Sequence, residues 1–186
     1  MKSFNMTHQE LFEEVLDSFA PILYKREVLK GEILQESGKR CPNLFLVKQG
    51  ILRAFYYQGH KDITAHFAFS YESITAPQSF ILGIKSKYFI QALEDGLVYV
   101  VKNTDLESFL DKHPSLESLV RKFTQLQYLE LLERIEGINF LTAQERYLTL
   151  LDRNPELPLR VNLGYIASYL GVTQETLSRI RAKKES

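Results

Sequence analysis

Between about residue 24 and residue 104 the chain is written in short apolar stretches: EVLKGEIL, NLFLVKQGILRAFYY, ITAHFAF and YFIQALEDGLVYVV. Gly31, Gly38, Gly50, Gly59, Gly83 and Gly96 punctuate them. Strands at such spacing build a sandwich or a barrel. No helix is needed between the strands, which favours antiparallel pairing, because parallel neighbours need a long crossover that is usually a helix. In LFLVKQGILRAFYY two apolar runs flank Lys48-Gln49-Gly50, the pattern of a hairpin.

Helical signals lie on either side of this region. Thr7 and Glu10 make a capping box for a helix over 7–19, with Leu11, Val15, Leu16 and Phe19 on one face and Pro21 ending it. Asn103-Thr104-Asp105 is placed to cap a short helix that stops before Pro114. Residues 115–138 contain no glycine or proline until Gly137, which predicts one long helix. Leu116, Leu119, Phe123 and Leu126 follow 3–4 spacing, and Tyr128, Leu131, Ile135 and Ile138 continue it with a phase shift. The pattern fits either a helix packed wholly on its own sheet or a helix with two apolar faces, one on its own domain and one on a second copy. The first set is the expected dimer face. Thr142 and Glu145 form another capping box, opening a helix whose Tyr147, Leu148 and Leu151 face inward, and Asn154–Pro158 reads as a turn.

Composition excludes several classes. No apolar run approaches the ~20 residues that span a bilayer. The N-terminal MKSFNMTHQELFEEV turns acidic and amphipathic at once, unlike a secretory leader. Cys41 is the one cysteine, and four scattered histidines have no metal-ligand spacing, so no metal or other cofactor is expected and a cytoplasmic location is. No nucleophile–base motif or glycine-rich phosphate loop occurs, so no enzymatic activity is expected. Basic and acidic residues balance at 23 each. Yet residues 160–186 hold five basic side chains (Arg160, Arg179, Arg181, Lys183 and Lys184) against Glu175 and Glu185, which concentrates positive charge at the end of the chain.

That end, GYIASYLGVTQETLSRIRAKKES, meets the steric demands of a helix-turn-helix together. Ala167 supplies the small residue at the crossing and Gly171 a turn that tolerates positive φ. Ile166, Leu170, Val172, Leu177 and Ile180 occupy the core spacings, while Asn162 and Thr173 are placed to cap the two helices. The second helix presents Gln174, Glu175, Ser178 and Arg179 on one side, suited to base edges in a major groove. Thr173, Thr176, Arg181, Lys183 and Lys184 are expected on phosphates.

A β-rich domain, a long helix and a terminal helix-turn-helix, in that order, resemble the Crp–Fnr family of bacterial transcription regulators. The most specific match is TQETLSR (173–179), similar to the family's recognition-helix signature. LKGEILQESGKRCPNLFLVKQGILRAF, with Gly31-Glu32, looks like its effector-sensing jelly roll, and 115–138 like its dimerisation helix. The resemblance implies a ligand-driven reorientation of the DNA-binding domains. Three departures stand out. Cyclic-nucleotide-binding members carry a Gly-Glu and then an Arg-Ser or Arg-Thr pair. Here Glu72 lacks the preceding glycine, and Ser86-Lys87 stands where Arg-Ser is expected. The candidate effector pocket is therefore Tyr71, Glu72, Ser73, Ser86 and Lys87, with a lysine that meets phosphate as a point charge and not as a fork. One cysteine excludes a four-thiolate cluster within one chain, and His60 and His66 have the chemistry to ligate haem, although a lone histidine is more often a hydrogen-bonded surface or core group. Last, the sequence ends at Ser186 without the β-hairpin wing usual in the family.

The expected fold class is α+β: an N-terminal antiparallel jelly roll (1–114), a dimerisation helix (115–138) and an all-α helix-turn-helix domain (139–186). The expected function is that of a homodimeric, sequence-specific DNA-binding transcription regulator. Its sensor would not bind cyclic AMP, and its site would be an inverted repeat in double-stranded DNA. RNA polymerase and an unidentified small-molecule effector are candidate further partners, and no membrane is expected. The alternative is a ligand-binding sensor acting through protein partners, its terminal helices serving as a docking surface.

Overall fold

A computed structural model describes residues 7–185 of the chain. Helix α1 (His8–Phe19) is followed by strands β1 (Tyr24–Val28), β2 (Ile33–Gln35), β3 (Asn43–Gln49), β4 (Leu52–Gln58), β5 (Lys61–Ala68) and β6 (Ser73–Ile74). Helix α2 (Pro77–Leu82) precedes strands β7 (Phe89–Ala92) and β8 (Gly96–Lys102). The remainder is helical: α3 (Asn103–Lys112), α4 (Glu117–Phe140), α5 (Ala143–Arg153), α6 (Leu157–Arg160), α7 (Leu163–Leu170) and α8 (Gln174–Glu185).

The strands form two four-stranded sheets, ordered β1-β8-β3-β6 and β2-β7-β4-β5, as expected of an antiparallel jelly roll. Inward residues of both sheets share one core. Val28, Phe45, Val47, Val98 and Val100 of the first meet Leu52, Ala54, Ile90 and Ala92 of the second. β-Branched and aromatic side chains on a period of two fit such pleated, half-buried surfaces. Both capping boxes form. In each, a threonine oxygen accepts from the backbone three residues on, and the glutamate there accepts from the threonine N–H.

Lys48-Gln49-Gly50 does not close a hairpin. β3 lies between β8 and β6, while β4 lies between β7 and β5, so this turn carries the chain from one sheet to the other. The β3–β8 register slips between Val47 and Gln49, a bulge that re-aims the strand. Gly50 then takes φ +109°, and a Cβ there would stand 3.3 Å from the Cα of Gly96. Two smaller differences concern helix starts. Asn103 is the first residue of α3 and not its cap, with its side-chain amide donating to Glu107 at 2.9 Å. The segment that reads as a turn contains helix α6, with Pro158 in its first turn, where a missing N–H costs nothing.

The chain divides into two compact units. One is Met1–Ala54 with Phe67–Gln125, and the other is Phe55–His66 with Leu126–Ser186. The distal β4–β5 hairpin thus belongs with the C-terminal helices.

Candidate nucleic-acid interface

The terminal helices are locally over-determined. Asn162 Oδ1 accepts from the Gly164 N–H at 2.8 Å and starts α7. Helix α7 ends at Gly171, which is left-handed at φ +71°. The Gly171 N–H donates to Ser168 at 3.2 Å and the Val172 N–H to Ala167 at 3.0 Å, the paired bonds of a Schellman-type end. Thr173 Oγ1 accepts from the Thr176 N–H at 3.2 Å and starts α8. Ile166, Ala167, Leu170 and Leu177 are buried at the crossing, while Val172 and Ile180 are half-buried beside it.

This packing leaves Gln174, Glu175, Ser178 and Arg179 exposed on α8, as the sequence predicts. Thr173, Thr176 and Lys183 are exposed as well, and Arg181 is half-buried. The Lys184 side chain lies outside the described residues. The Glu175 carboxyl is held below the usual carboxylate range, first by its own backbone N–H at the helix start, then by the Thr173 hydroxyl and the Arg179 charge. It is therefore an ionised acceptor, one helical turn before a cation.

Helix α7 is anchored at three consecutive residues by elements far away in sequence. The Thr64 N–H, on β5, donates to Ser168 Oγ at 3.1 Å. Arg134, on α4, donates to the Tyr169 carbonyl at 3.4 Å, and its guanidinium lies 4.1 Å from the centroid of the Tyr169 ring. The same guanidinium donates to the Ala65 carbonyl of β5. Arg146, on α5, donates to the Leu170 carbonyl at 3.0 Å and to Leu141 at 2.7 Å. The last carbonyls of a helix have no intrahelical partner, and cations suit that end. His66, next to Ala65, is driven down to about 4 from an ordinary 6.5, first by burial and then by the Arg134 charge. Sequence reasoning missed Arg134, Arg146, Thr64 and Ser168. Their acceptors are mostly main-chain atoms, so no side-chain pattern announces them.

On α4, Leu119 is buried within its own unit, and Leu116, Phe123 and Leu126 are half-buried. Tyr128, Leu131, Ile135 and Ile138 are all exposed, between 45% and 58%, which makes them one apolar stripe on the solvent side. Of the four residues expected on the dimer face, Leu119 is turned inward; the exposed stripe is the second set.

Residues 25–113 match the model of the cyclic nucleotide-binding domain. Over nearly its whole length the chain is similar to the fumarate and nitrate reduction regulatory protein of Vibrio cholerae, at 28% identity over 91% of this chain and 72% of that protein. Among solved structures, a CooA variant from Carboxydothermus hydrogenoformans superposes with a TM-score of 0.68 at 21% identity, covering 92% of this chain and 83% of that one. The regulator CLP of Xanthomonas campestris, described as responsive to c-di-GMP, superposes with a TM-score of 0.71 at 13% identity, covering 93% and 91%. In fold, and over nearly its whole length in sequence, this chain is similar to Crp–Fnr regulators.

The residues expected around an effector lie on two short segments. Tyr71, at φ +72°, and Glu72 occupy the turn before β6, where Ser73 is buried. Glu72 accepts from the Phe69 N–H at 2.9 Å, and Tyr71 packs edge-on against Phe12 with its ring centroid 5.7 Å away. Ser86 and Lys87 lie between α2 and β7. Ser86 Oγ accepts from the Tyr88 N–H at 2.9 Å, and Lys87 is exposed with its ammonium 5.1 Å from the Tyr88 ring centroid. Cys41 is buried, with its N–H donating to Ser79 Oγ at 2.7 Å. Among the described residues no group of three or more His, Cys, Asp or Glu could hold a metal, and no helix is long and apolar enough to cross a membrane.

Proposed function

We propose that this chain is a Crp–Fnr regulator, a homodimeric transcription factor that reads an inverted repeat in double-stranded DNA. One observation carries the reading. A capped helix pair around Gly171 holds Gln174, Glu175, Ser178 and Arg179 exposed on a single helix. Arg179 suits guanine O6 and N7, Gln174 suits adenine N6 and N7, ionised Glu175 accepts from cytosine N4, and Ser178 serves either side. Thr173, Thr176, Arg181 and Lys183 reach phosphates and set register without reading sequence.

One short helix covers only a few base pairs, so the site needs two copies. The stripe Tyr128, Leu131, Ile135 and Ile138 is the surface that a second copy covers. A two-fold dimer then places its recognition helices about one DNA turn apart, roughly 34 Å.

The sensor domain does not take cyclic AMP in this reading. The Glu72 carboxylate is occupied by a turn N–H, and Lys87 offers one ammonium where a bidentate guanidinium is wanted. The chain acts by binding and not by catalysis.

Titration of an operator duplex with the full chain tests this reading. Two chains per duplex are expected, with no thermal stabilisation of the protein by cyclic AMP. Binding as one chain per duplex, or a clear stabilisation at micromolar cyclic AMP, would contradict it.

A further inference from the structure

We infer that Arg134 is a positioning residue that fixes the angle between the long helix and the recognition unit, and so selects the spacing of the two DNA half-sites. The inference rests on the DNA-binding reading above and adds a residue that touches no DNA.

The geometry is a three-way tie. The Arg134 side chain leaves α4, hydrogen-bonds the Ala65 carbonyl on β5 and the Tyr169 carbonyl on α7, and stacks over the Tyr169 ring at 4.1 Å. Both acceptors are main-chain carbonyls, so the contact reads the position of the backbone itself. A guanidinium is planar, with donors in a rigid fork, and it stacks on aromatic faces; a lysine ammonium does none of this with comparable geometry. Tyr169 lies two residues before Gly171, the turn into α8, so any rotation of α7 moves Arg179 with it.

Two neighbouring contacts act in the same place. Thr64 holds Ser168 from the strand side, and Arg146 holds Leu170 from α5. Arg134 joins the helix that carries the exposed apolar stripe, the β5 strand and the recognition unit.

The test uses the full chain and a set of duplexes that carry its selected inverted repeat with the spacer lengthened or shortened by one and two base pairs. Wild type should favour one spacing by about tenfold over its neighbours, the worth of one charge-assisted contact. Arg134→Ala should flatten that preference to within about twofold, and Arg134→Lys should behave like alanine. A variant that merely folded less well would lose affinity equally at every spacing. An unchanged spacing profile in Arg134→Ala would overturn the inference, whereas failure of the wild type to bind any inverted repeat would sink the DNA-binding reading. Amide exchange supplies a readout free of DNA. Exchange at the Thr64 N–H should speed up in Arg134→Ala, and unchanged protection there would equally overturn the tie.

Discussion

The guanidinium of Arg134 lies 4.1 Å above the ring of Tyr169 and also donates to the carbonyl of that residue. The ring and the carbonyl contribute separately. Tyr169→Leu removes the stacked face but leaves the acceptor, so it should cost about 1 kcal/mol in urea unfolding. Tyr169→Phe keeps the face and should retain the guanidinium contact. Equal losses for both variants would show that the ring face contributes nothing.

His66 gives the chain a defined acid sensitivity. Its imidazole stands at about 4 in the folded chain against 6.5 ordinarily, because burial and the Arg134 charge both disfavour the proton. Below pH 6.5 the unfolded chain binds a proton that the folded chain refuses. Stability is therefore complete above 6.5, falls as pH drops toward 4, and levels off below that. Unfolding at pH 7 and pH 5 should differ by about 1–2 kcal/mol from this residue, and His66→Gln should remove that difference. In Arg134→Gln the His66 titration followed by NMR should move up toward 6.5.

Arg179 and Lys183 are both exposed cations on α8, yet they should fail differently. Arg179→Ala should relax selection at one base pair and cost about 1–3 kcal/mol on the preferred site. Lys183→Ala should weaken all duplexes alike and lower the salt slope by about one. Binding curves across salt concentration and single-base variants separate the two effects.

The stripe on α4 makes a prediction about assembly. Ile135 is 45% exposed between Leu131 and Ile138 on the same face. Ile135→Asp would bury a carboxylate between two helices, so sedimentation should show a monomer where wild type is a dimer. Loss of the dimer should cost at least about a hundredfold in operator affinity while leaving the jelly roll folded. A wild-type chain that sediments as a monomer would contradict this assignment of the stripe.

Local chemistry was legible in the sequence, and long-range geometry was not. Thr7 with Glu10, Thr142 with Glu145, Asn162, Gly171 and Thr173 all do in the structure what their spacing predicts, because caps and turns are contracts among residues within four positions of each other. Lys48-Gln49-Gly50 misled because an apolar–turn–apolar pattern does not say which sheet each strand joins; the bulge after Val47 and the close approach of Gly50 to Gly96 decide that. Arg134 was invisible for a stronger reason. Its acceptors lie 69 and 35 residues away and are backbone atoms, which every residue type carries. The exposure of Gln174, Glu175, Ser178 and Arg179 could be read directly, since the apolar spacing of α8 fixes which side it buries.

Selection of bound duplexes from a random DNA pool by the purified full chain tests the central claim most directly. The recovered sites should converge on an inverted repeat with half-sites about one helical turn apart, and the same selection with Arg179→Ala should lose preference at one position in each half. A pool that shows no enrichment at low salt, or that converges on a single unrepeated half-site, would contradict the account.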